Sequence, residues 1–399
     1  MRYAFTGVKL AFTLALLSIG PAFTQIATAE TSPETTTTSS VAYVYVQTTK
    51  GVAVFDTYPT GRLTLVKGSL FADTGQMGAI NGSYLISVGT DYLHTYTIES
   101  KGAVGKQAFE INTQSYGGAQ CGTTTGGALF DHTGKYLYVL LSGATSDNPC
   151  SAMQSYKIAS NGELTFLGDT ENDSYGYHGS DIPVGISAIS GNDGFAYGII
   201  DDVYADLFSA FTRDSSGLLI ANGSFSHVDP TPNPSVSDDA YYPLAVAPDP
   251  TNHLAVLMNE PFTNSPPPQL ASYTIDNSTG AIESTNTWEN MPTPAFYPNV
   301  INMSPSGKLL AVAGAGVQIF NFNGAAPLTL ASSMLLPSRD FYQLAWDKNN
   351  HLYAVDYETG GLYVFTVTST TIRAAPGSPY AIPDNVRGNY QYGLIVVPK

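Results

Sequence analysis

Apolar and polar residues alternate along short segments of this chain, and an aromatic residue recurs seven times at the same point of that pattern. The recurring positions are Phe55, Tyr96, Tyr156, Phe211, Tyr273, Phe320 and Phe365. Their spacing ranges from 41 to 62 residues, which is typical of a repeat whose units each form one small antiparallel sheet. The pattern therefore predicts an all-β fold, a seven-bladed β-propeller with four-stranded antiparallel blades.

The third repeat shows the predicted strands most clearly. It reads GGALF, a turn at residues 131–134, KYLYVLLS, a longer loop, AMQSYKI, a turn at residues 160–162 and ELTFLG. The second segment is apolar throughout, as expected for a strand that neighbouring blades cover on both faces. Glycine or asparagine is expected in the left-handed position of the first turn of each repeat. Six repeats provide one, at Gly82, Gly134, Gly194, Asn252, Gly307 and Asn350.

The two ends of the repeat region complement each other. The region opens with a second strand, AYVYV, and closes with YGLIVVP, which reads like the first strands PLAVAP and VINMSP. We therefore expect the C-terminal strand to pair into the N-terminal blade, which would close the ring and remove exposed sheet edges. Seven such blades account for residues 41–399 as a single domain.

The N-terminal residues predict export. Arg2 and Lys9 precede an apolar run, Leu10–Phe23, and the small residues Ala27-Thr28-Ala29 follow it, which is the pattern of a signal peptide over residues 1–29. The run of 14 residues is too short to cross a hydrocarbon core of about 30 Å, and no later stretch approaches that length, so we expect no membrane span. Residues 30–40 are polar and Thr-rich, which favours a flexible leader.

Charge narrows the classes of partner. The formal net charge of −16 becomes −18 once the two basic residues of the signal peptide are lost, and a field of that sign repels nucleic acid. We therefore expect a periplasmic or extracellular monomer that binds no nucleic acid. Its expected partner is a small neutral ligand, or else a polysaccharide or a protein.

Tyrosines mark one face of the predicted propeller. Because strands alternate in direction, the loops between blades and the loops between strands two and three lie on the same side, here called the long-loop face. Its candidate ligand-binding tyrosines are Tyr177, Tyr242, Tyr297, Tyr342 and Tyr390. Such rings suit a sugar or another flat neutral ligand, although the repetition also fits packing at blade junctions.

Arginines precede two inner strands on the same face, at Arg339 and Arg387. Arg339 is a candidate ligand-binding residue, because a guanidinium can orient an anion or polarise a carbonyl group. Pairing of these arginines with Asp340 or Asp384 on the surface is the alternative.

Two candidate catalytic arrangements lie on the long-loop face. In the first, His178 acts as general base with Asp181 as its partner, although a histidine in such a loop is also expected to be merely solvated. In the second, Asp201, Glu260 and Asp356 from three blades hold a divalent cation such as calcium. No contiguous metal-binding motif supports the second arrangement.

Segments such as SPSGKLLAVAG, FDHTGKYLYVLLSG and QSYKIASNGEL resemble the seven-bladed lactonase-like propellers, which include the propeller type of 6-phosphogluconolactonase. The resemblance implies a lactone hydrolase. In that family an inner strand begins with an Arg-His pair, which the comparable Ile182-Pro183-Val184, Tyr242-Pro243-Leu244 and Tyr297-Pro298-Asn299 lack. No catalytic residue is therefore transferred. A neutral sugar lactone fits the acidic chain better than a phosphorylated one, and a non-catalytic binding propeller is the alternative.

The two cysteines, Cys121 and Cys150, fall in loops of one predicted blade on the long-loop face, and export makes their oxidation possible. We expect a Cys121–Cys150 disulfide that closes a loop of about 30 residues and stabilises the fold by roughly 3 to 4 kcal/mol in the chain-entropy model. Thiol titration of the denatured protein should detect no thiol before reduction and both afterwards. Equal titration before and after reduction would exclude the bond.

Overall fold

Strands form where apolar positions repeat with a period of two or run without interruption, and a computed structural model of the chain follows that pattern. It describes residues 39–71, 76–117, 122–142, 150–173, 183–200, 207–226, 242–259, 267–284, 286–294, 297–368, 371–384 and 393–399. The predicted signal peptide, residues 1–29, lies outside the described residues, as does the leader except Ser39 and Ser40.

The strands of the N-terminal part are β1 (Ala42–Thr48), β2 (Gly51–Thr57), β3 (Leu63–Leu65), β4 (Gln76–Ile80), β5 (Tyr84–Val88), β6 (Tyr92–Ile98), β7 (Val104–Asn112), β8 (Thr123–Phe130), β9 (Tyr136–Ser142), β10 (Cys150–Ile158), β11 (Leu164–Asp173), β12 (Pro183–Ile189), β13 (Phe195–Ile200), β14 (Leu207–Arg213) and β15 (Leu219–Ser226). Those of the C-terminal part are β16 (Tyr242–Pro248), β17 (His253–Asn259), β18 (Gln269–Ile275), β19 (Ile282–Glu283), β20 (Pro298–Met303), β21 (Leu309–Asn321), β22 (Thr329–Leu330), β23 (Leu335–Trp346), β24 (His351–Asp356), β25 (Gly361–Val367), β26 (Ile372–Ala374), β27 (Tyr380–Ala381) and β28 (Leu394–Pro398). The helices of the described chain are short 3-10 turns at Ser100–Gly102, Thr113–Ser115 and Trp288–Asn290.

These strands form an all-β propeller of antiparallel sheets. Five sheets have four strands each, in the orders β28-β1-β2-β3, β4-β5-β6-β7, β11-β10-β9-β8, β12-β13-β14-β15 and β16-β17-β18-β19. The C-terminal strand β28 pairs with β1, from Ala42 opposite Pro398 to Val46 opposite Leu394. The predicted pairing of the C-terminal strand with the strand AYVYV is therefore present.

The remaining strands form one eight-stranded sheet where the sequence predicts two separate blades. Its main path is β20-β21-β23-β24-β25-β26, with β22 paired to β21 and β27 paired to β25. The long strand β21 bends at Gly316, whose φ is +100°, and Phe322 donates its backbone N–H to the carbonyl of Lys308 at 2.9 Å. The two halves of β21 therefore run antiparallel as a hairpin. The start of β23 pairs with that hairpin, from Ala315 opposite Asp340, and this pairing merges the two strand groups.

The recurring aromatic residues form the framework of the core, as the repeat pattern predicts. Each is buried, with an exposed fraction of at most 9%, and each belongs to a different cluster of buried side chains. Tyr273, for example, packs with Tyr197 and Phe195 from the preceding sheet. Burial of such a side chain contributes about 1.5 to 3 kcal/mol, so these contacts hold neighbouring sheets together.

One predicted turn differs in detail. Gly194 was expected in the left-handed conformation, but its neighbour Asp193 adopts it, with φ of +58°. Aspartate tolerates this conformation, and the carboxylate of Asp193 accepts a hydrogen bond from the backbone N–H of His132 at 2.8 Å. That contact joins two turns that are 61 residues apart in sequence.

A buried polar network closes the turn before β24. The carboxylate of Asp347 accepts hydrogen bonds from the backbone N–H groups of Asn349 at 2.8 Å and His351 at 2.9 Å. Its Oδ2 lies 2.7 Å from Nδ1 of His351 and 2.9 Å from the hydroxyl of Tyr353. Tyr353 also contacts Thr57 at 3.2 Å. The network therefore links the turn to the sheet β28-β1-β2-β3, which contains Thr57.

In the described parts of the chain, no helix combines the length and the apolar character that a membrane crossing requires.

The Asp347 network predicts a loss of stability in acid. Burial alone would raise the pKa of Asp347, but hydrogen bonds with His351 and Tyr353 outweigh it and hold that pKa below its usual value. Above the usual pKa of aspartate the carboxylate makes its full contribution to the free energy of unfolding. This contribution is lost as the pH falls through the lowered pKa that Asp347 has in the folded state.

Asp347→Ala should lower the free energy of unfolding at neutral pH by about 3 kcal/mol, because it leaves buried partners unpaired. The variant should also lose less stability than the wild type between pH 5 and pH 2, roughly the range in which such a group titrates. Urea denaturation over that range measures both effects. Asp276→Ala is the matched control for the loss at neutral pH, because exposed Asp276 caps a turn through Ser278 and Thr279 without a described histidine partner. Equal losses in the two variants at neutral pH would contradict the role of the buried network.

Candidate functional site

The long-loop face contains an open pocket of about 550 Å³, here called the Tyr297 pocket. Its lining residues are Tyr297, Asn299, Ala315, Pro337, Ser338, Arg339, Asp340, Tyr342 and Glu358. They come from the start of β20 and the residue before it, the hairpin within β21, the first half of β23 and the turn after β24. The tight hairpin of β21 provides no long loop to cover this position, so the pocket stays open above it.

Two lining residues are the extra residues of β-bulges. The register shifts between Pro298 and Val300 on β20, which leaves Asn299 unmatched, and between Phe341 and Gln343 on β23, which leaves Tyr342 unmatched. A bulge bends its strand and redirects a side chain. Both bulges place a polar side chain in the pocket.

Tyr297 has an unusual backbone for an aromatic residue. Its φ is +52°, a left-handed conformation that is strained for a bulky side chain, and 56% of its surface is exposed. Its carbonyl oxygen lies against Gly314, where an added Cβ would come within 1.9 Å of that oxygen. The glycine therefore allows the backbone to approach so closely, and the tyrosine ring is presented at the pocket rim.

An ion pair with Asp356 holds Arg339 in position. Its Nη1 lies 3.4 Å from Oδ2 of Asp356, which is fully buried, while 37% of the arginine side chain is exposed. The same carboxylate accepts hydrogen bonds from the hydroxyl of Thr359 at 2.6 Å and from the backbone N–H of Glu358 at 3.0 Å. Asp356 thus caps the turn that carries Glu358 and also orients Arg339. The described ion pair of Arg339 is with Asp356 and not with the expected Asp340.

The structure brings together three predicted ligand-binding residues, Tyr297, Tyr342 and Arg339, with Asp356 behind the arginine. The ring of Tyr342 meets that of Tyr357 edge-on, with centroids 5.4 Å apart. Tyr242 begins β16 and Cys150 begins β10. Other predicted site residues lie outside the described residues, namely Cys121, Tyr177, His178, Asp181, Asp201, Glu260, Arg387 and Tyr390. Their proposed roles stay predictions.

Sequence analysis did not identify Asn299, Asp340 or Glu358 as lining residues. A signal existed for Asn299, because it follows proline at the start of an inner strand, as does Leu244 after Pro243. Leu244 is also a bulge residue. Asp340 was considered only as a partner of Arg339, and Glu358 carries no sequence pattern that separates it from a solvated turn residue.

A second cavity of about 320 Å³, here called the channel cavity, lies among strands β8, β16, β20, β23 and β28. Asn299 lines both this cavity and the Tyr297 pocket. Its lining residues are Leu129, Leu244, Ala245, Val246, Ala247, Pro248, Asn299, Val300, Ile301, Asn302, Met303, Gln343, Leu344 and Leu394. None of them is ionisable.

The Tyr297 pocket has the chemistry of a site for a polar, uncharged ring. Tyrosine rings can stack on the flat face of such a ligand, and the guanidinium donates hydrogen bonds to a carbonyl or hydroxyl oxygen. Asp340 and Glu358 can accept hydrogen bonds from ligand hydroxyl groups. Within the described ranges, no group of three or more histidine, cysteine, aspartate or glutamate residues is close enough to hold a metal ion.

No protein-family model matches this sequence, and no curated protein matches it significantly. Solved structures share its fold. The periplasmic gluconolactonase PpgL of Pseudomonas aeruginosa is 12% identical with a TM-score of 0.60, over 90% of this chain and 99% of that one. A Lactobacillus plantarum protein is 15% identical with a TM-score of 0.59, over 90% and 100% of the two chains. A functionally unknown protein from Desulfotomaculum acetoxidans is 18% identical with a TM-score of 0.57, over 90% and 99%. At such low identities the similarity establishes the propeller fold alone. It supports the predicted resemblance to lactonase-like propellers as a resemblance of fold.

The contact between Gly314 and Tyr297 predicts a test of the pocket rim. Gly314→Ala should displace the Tyr297 backbone and lower the free energy of unfolding by about 1 to 3 kcal/mol, measured by urea denaturation. Gly194→Ala is the control, because an added Cβ there meets only the flexible side chain of Asn192. A Gly314→Ala protein as stable as the control would show that Tyr297 does not hold this position.

Proposed function

We propose that this protein is an exported, seven-bladed propeller that binds a small neutral ligand, such as a sugar lactone, in the Tyr297 pocket. The observation that carries the proposal is the convergence of Tyr297, Tyr342 and Arg339 from separate strands on one open pocket. The pocket volume of about 550 Å³ lies within the usual range for small-molecule sites.

Seven blades are supported by the contacts between sheets. The eight-stranded sheet divides at the β21–β23 pairing into two groups that each follow the four-strand pattern. Innermost strands then contact one another in the order β4, β8, β12, β16, β20, β23 and β28, and β28 also contacts β4. A closed ring of seven blades accounts for this cyclic order and for one recurring aromatic residue in each of seven core clusters.

Export is supported by the signal-peptide pattern of residues 1–29. The fold is also that of a gluconolactonase described as periplasmic. Both observations favour a periplasmic or extracellular location.

Lactone hydrolysis is the reaction that this site suits best. A lactone ring would stack on Tyr297 or Tyr342 and place its carbonyl oxygen toward Arg339, which is held by Asp356. Water adds to the carbonyl carbon, the ring C–O bond breaks, and a hydroxy acid forms. A general base must accept a proton from the water, and we propose His178, assisted by Asp181, for this role.

A metal-dependent lactonase, with calcium or a similar cation at Asp201, Glu260 and Asp356, is a weaker proposal. The carboxylate of Asp356 already accepts hydrogen bonds from Thr359 and Glu358 and pairs with Arg339. A cation at Asp356 would have to compete with the guanidinium group of Arg339. Addition of a chelator during the activity assay distinguishes this proposal from the metal-free one.

A non-catalytic binding propeller is the second candidate function. The exposure of Tyr297 and the open shape of its pocket favour this candidate, because one end of a polysaccharide or a protein loop has access to the tyrosine ring. Such a protein would bind without turnover and would tolerate His178→Ala.

A panel of neutral sugar lactones tests the proposed function by calorimetry for binding and by pH-stat titration for hydrolysis. Tyr297→Ala should weaken binding by roughly tenfold, as expected when a stacking ring worth about 1.4 kcal/mol is removed. Tyr92→Ala is the control, because Tyr92 is an exposed tyrosine that stacks beside His94 on strand β6.

The outcomes separate the candidates. Hydrolysis that His178→Ala abolishes supports the lactonase with its proposed base, and loss of hydrolysis with chelator supports the metal-dependent form. Binding without hydrolysis supports the non-catalytic propeller. Absence of both binding and hydrolysis for every lactone would reject the proposed ligand class.

A further inference from the structure

The Tyr297 pocket and the channel cavity are neighbouring spaces. Asn299 lines both. Tyr342 lines the Tyr297 pocket and the next residue, Gln343, lines the channel cavity. The bulge at this position of β23 explains why consecutive residues reach different spaces. A ligand in the Tyr297 pocket therefore lies next to residues that also border the channel cavity.

The two spaces have different chemistry. The Tyr297 pocket contains a guanidinium, two carboxylates and two phenol groups. The described lining of the channel cavity is mostly aliphatic, with Val246, Val300, Leu344 and Leu394 among its residues, and its polar side chains are the uncharged amides of asparagine and glutamine. An uncharged, apolar group suits the second space, whereas a polar ring suits the first.

Leu244 shows that the apolar side of this space is unfilled. It is the extra residue of the β16 bulge, it lines the channel cavity, and 41% of its surface is exposed. On an inner strand of a propeller, a leucine with this exposure faces open space and not a packed core. Contact with an apolar ligand group would remove this surface from water, which is favourable.

We infer that the ligand is amphiphilic, with a polar lactone ring in the Tyr297 pocket and an unbranched alkyl or acyl tail in the channel cavity. This inference rests on the proposed function and specifies its substrate class. Each tail methylene that the cavity buries contributes about 0.8 kcal/mol, which corresponds to roughly a fourfold gain in affinity. An uncharged tail suits the described lining, which consists of aliphatic side chains, a methionine and uncharged amides.

A homologous series of γ-lactones tests the inference, from the unsubstituted ring through ethyl and butyl to hexyl substituents. Calorimetry with the full mature protein should show a dissociation constant that falls by roughly fourfold per methylene until the cavity is filled. Leu244→Gln should remove a large part of this gain for the hexyl compound and change binding of the unsubstituted ring by less than about twofold.

Leu330→Gln is the matched control. Leu330 is 53% exposed on the outer strand β22, so the same substitution there should leave the whole series unchanged. Unfolding curves of both variants establish that they are folded under the conditions of the binding assay.

Three results would overturn the inference in distinguishable ways. Binding of sugar lactones that Tyr297→Ala weakens, with no gain along the alkyl series, would reject the amphiphilic ligand and leave the proposed function standing. A gain along the series that Leu244→Gln and Leu330→Gln leave equally intact would place the tail outside the channel cavity. Failure of both sugar and alkyl lactones to bind would reject the inference together with the proposed function.

Discussion

Burial of both faces of each sheet is the constraint on which this structure depends. A single four-stranded sheet cannot cover its own two faces, so its apolar second strand requires a neighbour on either side. The recurring aromatic residues meet that requirement, because each belongs to its own cluster of buried side chains and Tyr273 packs against residues of the preceding sheet. Pairing of β28 with β1 joins two segments that are distant in sequence within one sheet. The packing between sheets and this pairing therefore satisfy the same physical demand.

The candidate site follows from this arrangement at the inner strands. Strands that run straight would direct alternate side chains into the neighbouring sheets, where the aromatic framework leaves little room. Bulges at Leu244, Asn299 and Tyr342 insert one residue each and turn these side chains toward the open space. The aromatic residues of the core fix the positions of the strands. The bulges leave a few side chains out of this packing, so that they line the two cavities.

Much of the framework was predictable because its signals are local and repeated. The spacing of Phe55, Tyr96 and the five later aromatic residues shows where each repeat begins and which of its segments are loops. From this assignment Tyr297, Tyr342 and Arg339 are predicted to lie on one face. The β21–β23 pairing was not predictable, because it depends on how tightly the chain turns at Gly316. The left-handed conformation of Asp193 in place of Gly194 depends equally on a tertiary contact, the one with His132.

The candidate site was predictable only in part, because the charged groups in it pair with residues that sequence patterns do not indicate. Which residues pair depends on how the chain turns after β24. Asp356 was considered as a cation ligand from its position at the end of a second strand. The structure shows that the same position lets its carboxylate cap the following turn and hold Arg339. The buried negative charge of Asp356 is thus balanced by a guanidinium that reaches the pocket, while Asp340 and Glu358 add two carboxylates to the lining. An anionic ligand would meet these carboxylates, whereas a neutral ring can donate its hydroxyl protons to them and accept from Arg339. This balance is the physical reason to favour a neutral ligand head over a phosphorylated one.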